Sequence, residues 1–230
     1  MRRKTDARSR VLTGNVRPAD PFALIQWLAH CQQDARKAVA ELVQNSLDAG
    51  AKRVDLVRRR DKGALCLSIA DDGQGVIPEL PRAAALEHVA THIGHSRKRN
   101  LTPQQRRELM VQGQFGIGIL GFWCLGAHFV MRTAGHGEEP WELHLHAEQP
   151  GYEVRPSRGR LPFVSGTEVV VRELREGVVH LLGARRLGDY LALELRGQIL
   201  ERAAEVTIHD RVARGLAQKV FSVNPVQFAG

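Results

Sequence analysis

The stretch from Ala64 to Gly75 constrains this chain's fold more than any other. Ala64 to Ala70 is an apolar run of strand length, and it leads straight into Asp71-Asp72-Gly73-Gln74-Gly75. That run reads as a strand. Two glycines this close to its end let the backbone turn sharply and approach a flat ligand. A carboxylate at that strand end can accept from an exocyclic amine of the kind adenine carries. The same five residues also make a serviceable turn. Val54 to Arg58 reads as a second strand, joined to the first through Asp61-Lys62-Gly63, a hairpin signal.

Helices flank this hairpin. Asp20 followed by Pro21 is a helix start, with a capping side chain and then a ring that needs no amide partner. That helix is predicted to run to about residue 32. Asp34 caps a second one, through Asp48 and ending at Gly50, whose apolar positions Val39, Leu42, Val43 and Leu47 recur at helical spacing. Further on, 81–88 reads as a short helix, 92–111 as a long loop with a short helix near 104–110, and 117–125 as a buried helix. His128 to Thr133, Trp141 to His146 and Glu168 to Val171 read as strands. A long helix is predicted over 184–203, with short strands at 206–209 and 220–223. Hairpins thus outnumber β–α alternations. The fold class is α+β, a two-layer sandwich with a mixed, mostly antiparallel sheet and helices on one face.

Composition narrows the function classes. Of 230 residues, 43% are hydrophobic and 25% charged, which excludes a disordered, collagen-like or coiled-coil chain. Aromatic residues make up only 5%, which argues against a stacking surface for single-stranded nucleic acid. Cys31, Cys66 and Cys124 are too scattered for a disulfide framework or a zinc cluster. Gly113 to Met131 carries no charge and approaches the length of a membrane span. Its five glycines, with Gln114 and His128, fit a polar loop and a buried helix better. No signal peptide is visible and a cytoplasmic protein is expected. The net charge is +8, half of it in the first ten residues, which read as part of a flexible basic arm over 1–17. Further basic clusters lie at 52–62 and 97–99. Such clusters can touch nucleic-acid phosphates or simply be solvated faces.

Three more segments carry chemistry. Glu41, Asn45 and Asp48 fall at i, i+4 and i+7 of the predicted helix and share one face with the small residues Ala38 and Ala49. A carboxylate beside a carboxamide suits orienting water and holding a hard cation through oxygen. Gly113-Gln114-Phe115-Gly116-Ile117-Gly118 leads into an apolar helix. Glycine loops at helix N-termini present amides to phosphates. It matches neither the Walker A nor the dinucleotide-binding glycine pattern. Ser165-Gly166-Thr167 precedes a strand, where the threonine hydroxyl can hold a base or a water. His88, His92 and His95 have helical spacing but no acidic cluster to support a metal.

Together and in this order, the four boxes resemble the GHKL ATPase superfamily, which includes gyrase, heat-shock chaperones, histidine kinases and MutL. The resemblance covers about residues 34–172; its first box is close to the MutL form and its glycine box, Gly113 to Gly118, resembles the chaperone form, so the chain looks closest to MutL- and chaperone-like members. It implies the Bergerat ATP-binding fold, with ATP and Mg²⁺ as cofactors. Glu41 would be the general base activating water and Asn45 the Mg²⁺ ligand. Asp71 would accept from the adenine amino group, helped by a water held with Thr167. Gly73 and Gly75 would close over the base, with Ala49, Asp48 and Val76 beside the nucleotide. Amides of Gly113, Gln114, Phe115, Gly116, Ile117 and Gly118 would cradle the phosphates. Residues 76–112 would form an ATP lid, in which Ser96 and Lys98 resemble an element that meets phosphate in some relatives.

The implied domain spans 18–210, with 211–230 as the start of a following transducer-like segment. The resemblance implies slow ATP hydrolysis driving ATP-dependent homodimerisation in a full-length protein. The alternative is a nucleotide-gated binding module without significant hydrolysis. The expected partners are ATP or ADP, a second copy, and a nucleic-acid or protein client, with no membrane.

Overall fold

A computed structural model of the chain describes residues 17–30, 34–92, 121–212 and 218–225. The elements run α1 (Pro21–His30), α2 (Ala35–Asp48), β1 (Arg53–Asp61), β2 (Ala64–Asp71), α3 (Arg82–Thr91), α4 (Phe122–Leu125), β3 (Gly126–Ala134), β4 (Trp141–His146) and β5 (Tyr152–Pro156). They continue with β6 (Gly166–Leu174), α5 (Glu176–Val179), α6 (Ala184–Glu194), α7 (Arg196–Arg202), β7 (Glu205–Asp210) and β8 (Lys219–Ser222).

The strands form one sheet in the order β5-β4-β3-β6-β2-β1-β7-β8. All neighbours are antiparallel except β1 and β7, which are parallel. The sheet is therefore mixed and mostly antiparallel, and the fold is α+β. Strand alternation sends Val54 and Leu56, Leu67 and Ile69, Phe129, Leu143, Val169 and Val171, and Val206 and Ile208 into one core with the helices. That core takes Val39, Val43 and Leu47 from α2, Leu86 from α3, Phe122 from α4 and Leu187 and Leu191 from α6. The two helix starts form as their sequences require. Asp20 Oδ1 accepts from the amides of Phe22 and Ala23, and Asp34 Oδ1 from Arg36 N at 2.9 Å. The β1–β2 hairpin turns on Lys62 and Gly63, both with positive φ, the geometry two-residue turns between twisted strands favour.

The structure departs from the sequence reading in three places. The helix predicted over 184–203 is broken at Leu195, where φ and ψ are −105° and 14°. Leu191 and Ile199 are buried on either side of the break, and Gly197 just after it weakens a continuous helix. β5 carries no alternation to read, because it is an exposed edge strand. The turn α5 is too short to show a period. Of the predicted 117–125 helix, only one turn, Phe122–Leu125, falls within the described residues. Among those residues no helix is long and apolar enough to cross a membrane.

The sheet face away from the helices is polar and self-paired. Arg132 donates to Glu142 (3.1 Å) and Glu168 (2.8 Å), while Arg155 and Ser157 also donate to Glu142 and His144 Nε2 lies 2.9 Å from it. Burial alone would raise the Glu142 pKa. The bonds from His144, Arg155, Arg132 and Ser157 outweigh it and hold the group at about 2, below its ordinary 4.5. A depressed folded-state pKa contributes stability above the unfolded value, and that stability is lost as pH falls from 4.5 toward 2. Glu142→Gln should therefore cost roughly 2–3 kcal/mol near neutrality. In urea unfolding, the gap between variant and wild type should narrow at about pH 3.5. An equal gap at both pH values would show that packing, not ionisation, sets the loss.

Candidate nucleotide site

Helix α2 is buried on nearly every side. Ala38, Val39, Leu42, Val43, Ser46 and Leu47 are all in the core. Glu41 and Asp48 are half-buried and Asn45 is exposed, so these polar residues occupy the narrow stripe of the helix left open. The i, i+4 spacing read from the sequence thus places Glu41 and Asn45 one above the other on an accessible edge. Their oxygen atoms are the hard donors that Mg²⁺ requires. The Asp48 carboxylate is buried and accepts from Arg202 Nη2 at 3.1 Å, which ties the end of α2 to α7. That gives Asp48 a structural role beside the nucleotide contact expected of it.

β2 ends at Asp71, only 4% exposed. Its Oδ1 accepts from Gly73 N at 3.0 Å and from Thr167 N at 3.2 Å, with the Ser46 side chain beside the carboxylate lowering its pKa. Burial pushes the Asp71 pKa up, against the lowering effect of those bonds. Asp72 turns the other way and caps β1, accepting from Lys52 N (2.8 Å) and Arg53 N (2.9 Å).

Two glycines make this arrangement possible. A Cβ at Gly73 would meet Ala49 O and Asp71 Oδ1, both at 3.0 Å, so glycine lets the loop lie on the end of α2. Gln74 N then donates to Ala49 O at 3.1 Å. At Gly166, φ is +123° and a Cβ would overlap the Asp71 carbonyl. Only glycine lets β6 approach closely enough for Thr167 N to reach the carboxylate.

Sequence reasoning missed three residues here. The Thr133 hydroxyl, fully buried, accepts from Val76 N (2.9 Å), donates to Gly166 O (3.1 Å) and lies 3.4 Å from Thr167 Oγ1. Ser46 touches Asp71 from the helix. Arg82 binds the loop after Gly75 through its backbone carbonyls. Ser46 follows Asn45 directly and was open to inference. Thr133 stands 57 residues from Val76, with no local signal.

Asn45, Ala49, Asp71, Gly73, Gly75, Val76 and Thr167 therefore meet at one end of the sheet beside α2. Beside the loop lies a cavity of about 370 Å³, with Gly50, Gly73, Gln74, Arg82, Glu138 and Ser165 among its lining residues. Ser96, Lys98 and the loop of Gly113, Gln114, Phe115, Gly116, Ile117 and Gly118 lie outside the described residues. So does His95. His88 and His92 stack on each other, and no cluster of three or more histidine, cysteine, aspartate or glutamate side chains able to hold a metal is found among the described residues. The basic run of β1 is largely occupied internally. Arg58 pairs with Asp210, Arg59 donates to Ser68 and Arg60 to the Gly63 carbonyl.

One helix layer on a mostly antiparallel sheet, with a buried carboxylate at a strand end beside α2, defines a two-layer α+β domain. Residues 33–154, just over half of the chain, match the family described as histidine kinase-, DNA gyrase B- and HSP90-like ATPases, and the chain belongs to that family. Its likeness runs to the mismatch-repair members. It is 26% identical over 141 residues to DNA mismatch repair protein pms1 of Schizosaccharomyces pombe, covering 61% of this chain and 16% of that protein. It is 34% identical over 137 residues to DNA mismatch repair protein MutL of Pseudomonas paraeruginosa, covering 58% of this chain and 19% of the relative. A shorter match, 46% over 56 residues, is to mismatch repair endonuclease PMS2 of Gallus gallus, covering 24% of this chain and 6% of that one. The matched segments span less than a fifth of each relative's length.

Proposed function

We propose that this domain binds ATP with Mg²⁺ and hydrolyses it slowly, and that nucleotide occupancy gates dimerisation with a second copy of the full-length protein. The observation that carries the reading is the Asp71 carboxylate, buried and held by the Gly73 and Thr167 amides, at the end of the strand beside the open stripe of α2. An acceptor fixed in that way recognises an exocyclic amine and is spared reorganisation when the ligand arrives. Asn45 and Glu41 supply oxygen donors at the other end of the site, and this donor set fits a hard divalent cation. When bound, Mg²⁺ would neutralise phosphate charge. Asn45 would hold it through the carboxamide oxygen, and Glu41 would take the proton from an attacking water. Thr167 would hold a water against the base. The likeness to mismatch-repair proteins makes DNA transactions the context we assign to the longer assembly.

Calorimetric titration with a non-hydrolysable ATP analogue, with and without Mg²⁺, tests the reading. Binding that strengthens with Mg²⁺ is expected, followed by a rise in sedimentation coefficient if closure brings two copies together. No binding at millimolar analogue would overturn the assignment of the site. Binding without any change in mass would overturn the gating of dimerisation and leave a nucleotide-gated module.

A further inference from the structure

Arg82 opens α3 and yet is only 7% exposed. Its guanidinium turns back over the preceding loop. Nη1 donates to Val76 O at 3.0 Å, and Nη2 donates to Pro78 O at 3.0 Å and Leu80 O at 2.8 Å, with Ile77 O at the margin, 3.5 Å away. Nε lies 3.0 Å from Glu138 Oε2 across the β3–β4 turn, and the same oxygen accepts from Gly135 N at 2.9 Å. One side chain thus gathers the carbonyls of a loop with no regular secondary structure and fastens them to the sheet. Only a guanidinium spreads enough donors in a plane to do this, whereas an ammonium offers three from a single point.

The loop needs such a fastening. Ile77 has φ +43°, a left-handed conformation costly for a β-branched residue, which persists only where the surroundings hold it. The peptide groups flanking Val76 are gripped from both sides. Val76 N donates to Thr133 Oγ1 at 2.9 Å and Val76 O accepts from Arg82. Thr133 in turn bonds Gly166 O beside Thr167, whose amide holds Asp71. A continuous polar chain therefore runs from Arg82 through Val76, Thr133 and the 166–167 segment to the Asp71 carboxylate. Gly75 is squeezed inside it, since a Cβ there would meet Thr133 Oγ1 at 2.8 Å and Arg82 Nη1 at 3.2 Å.

The geometry assigns to Arg82 the role of a positioning residue, which sets the wall of the adenine end of the site by holding residues 76–80 in place. This rests on the nucleotide-binding reading above for its consequence, but not for the clamp itself. The test compares wild type with Arg82→Lys and Arg82→Met. Two quantities are measured: amide hydrogen exchange in the nucleotide-free protein and the dissociation constant of a non-hydrolysable ATP analogue with Mg²⁺. Faster exchange confined to about residues 73–80 is expected, with β1–β2 amides unchanged. Affinity should weaken about tenfold to a hundredfold in both variants, because lysine cannot serve the same carbonyls. Wild-type exchange in that segment, or affinity within twofold of wild type, overturns the proposal. So does exchange rising evenly across the sheet, which would make Arg82 a general fold residue. If wild type binds no analogue, the nucleotide reading fails while the exchange comparison still decides the clamp. Should neither Arg82 variant fold, Glu138→Ala removes the oxygen facing Nε, together with its bond from Gly135 N, and must raise exchange over residues 76–80.

Discussion

Glu41→Gln should retain ATP-analogue affinity within about twofold and lower turnover by roughly 10²–10⁴-fold, the range general-base catalysis supplies. Glutamine keeps the size of the side chain and one carbonyl oxygen and loses the charge and the basicity. α2 is anchored by Val39, Leu42, Val43 and Leu47, which point into the core, so the substitution leaves that packing alone. Steady-state phosphate release and calorimetry on the same preparation separate the two effects. A variant that hydrolyses ATP at the wild-type rate would remove Glu41 from the mechanism. One that loses affinity as well would mean the carboxylate acts in binding rather than in proton transfer. The contrast is with Asn45, one turn along the same stripe, where a cation ligand should carry the Mg²⁺ dependence of binding itself.

Why part of this site is readable in sequence, and part is not, follows from the range of the interactions. Glu41 and Asn45 were legible because a helix repeats every 3.6 residues, so four residues of separation already place two side chains on one edge. Asp71, Gly73 and Gly75 were legible because an apolar strand and its terminal turn are contiguous in the chain. The Gly166-Thr167 contact was half legible. The dipeptide stood out before a strand, but that its φ of +123° serves the Asp71 carbonyl depends on β6 lying next to β2. Thr133 had no such advantage. It sits in β3 like any other threonine, and its function arises only when β3 pairs with β6 and delivers the hydroxyl to Val76. Arg82 was hidden by its position, since an arginine in the first turn of a short helix is ordinarily solvated. Strand β5 was missed for the converse reason. An edge strand exposed along its length has no buried face to impose alternation.

Asp71→Asn should weaken binding of the ATP analogue about tenfold to a hundredfold, the worth of one hydrogen bond to a charged group. The nucleotide-free protein should stay at least as stable as wild type. The first effect follows from how the carboxylate is held. Oδ1 accepts from both the Gly73 and Thr167 amides, so an asparagine must leave its oxygen there. Its amino group is then the atom offered to the ligand, a donor facing the donor of an adenine amine. The second effect follows from the direction of the pKa. Burial raises the Asp71 value, so the neutral form is the one the folded state favours. That contribution is fully present below the unfolded-state pKa and is lost as pH rises through the raised folded value. At neutral pH the ionised group carries a desolvation cost which asparagine does not. The stability difference in favour of the variant should therefore shrink as pH falls through the carboxylate range. Lower stability of the variant at neutral pH would mean that the amide bonds to the charged carboxylate outweigh its burial. Unchanged affinity would mean that Asp71 does not read the base.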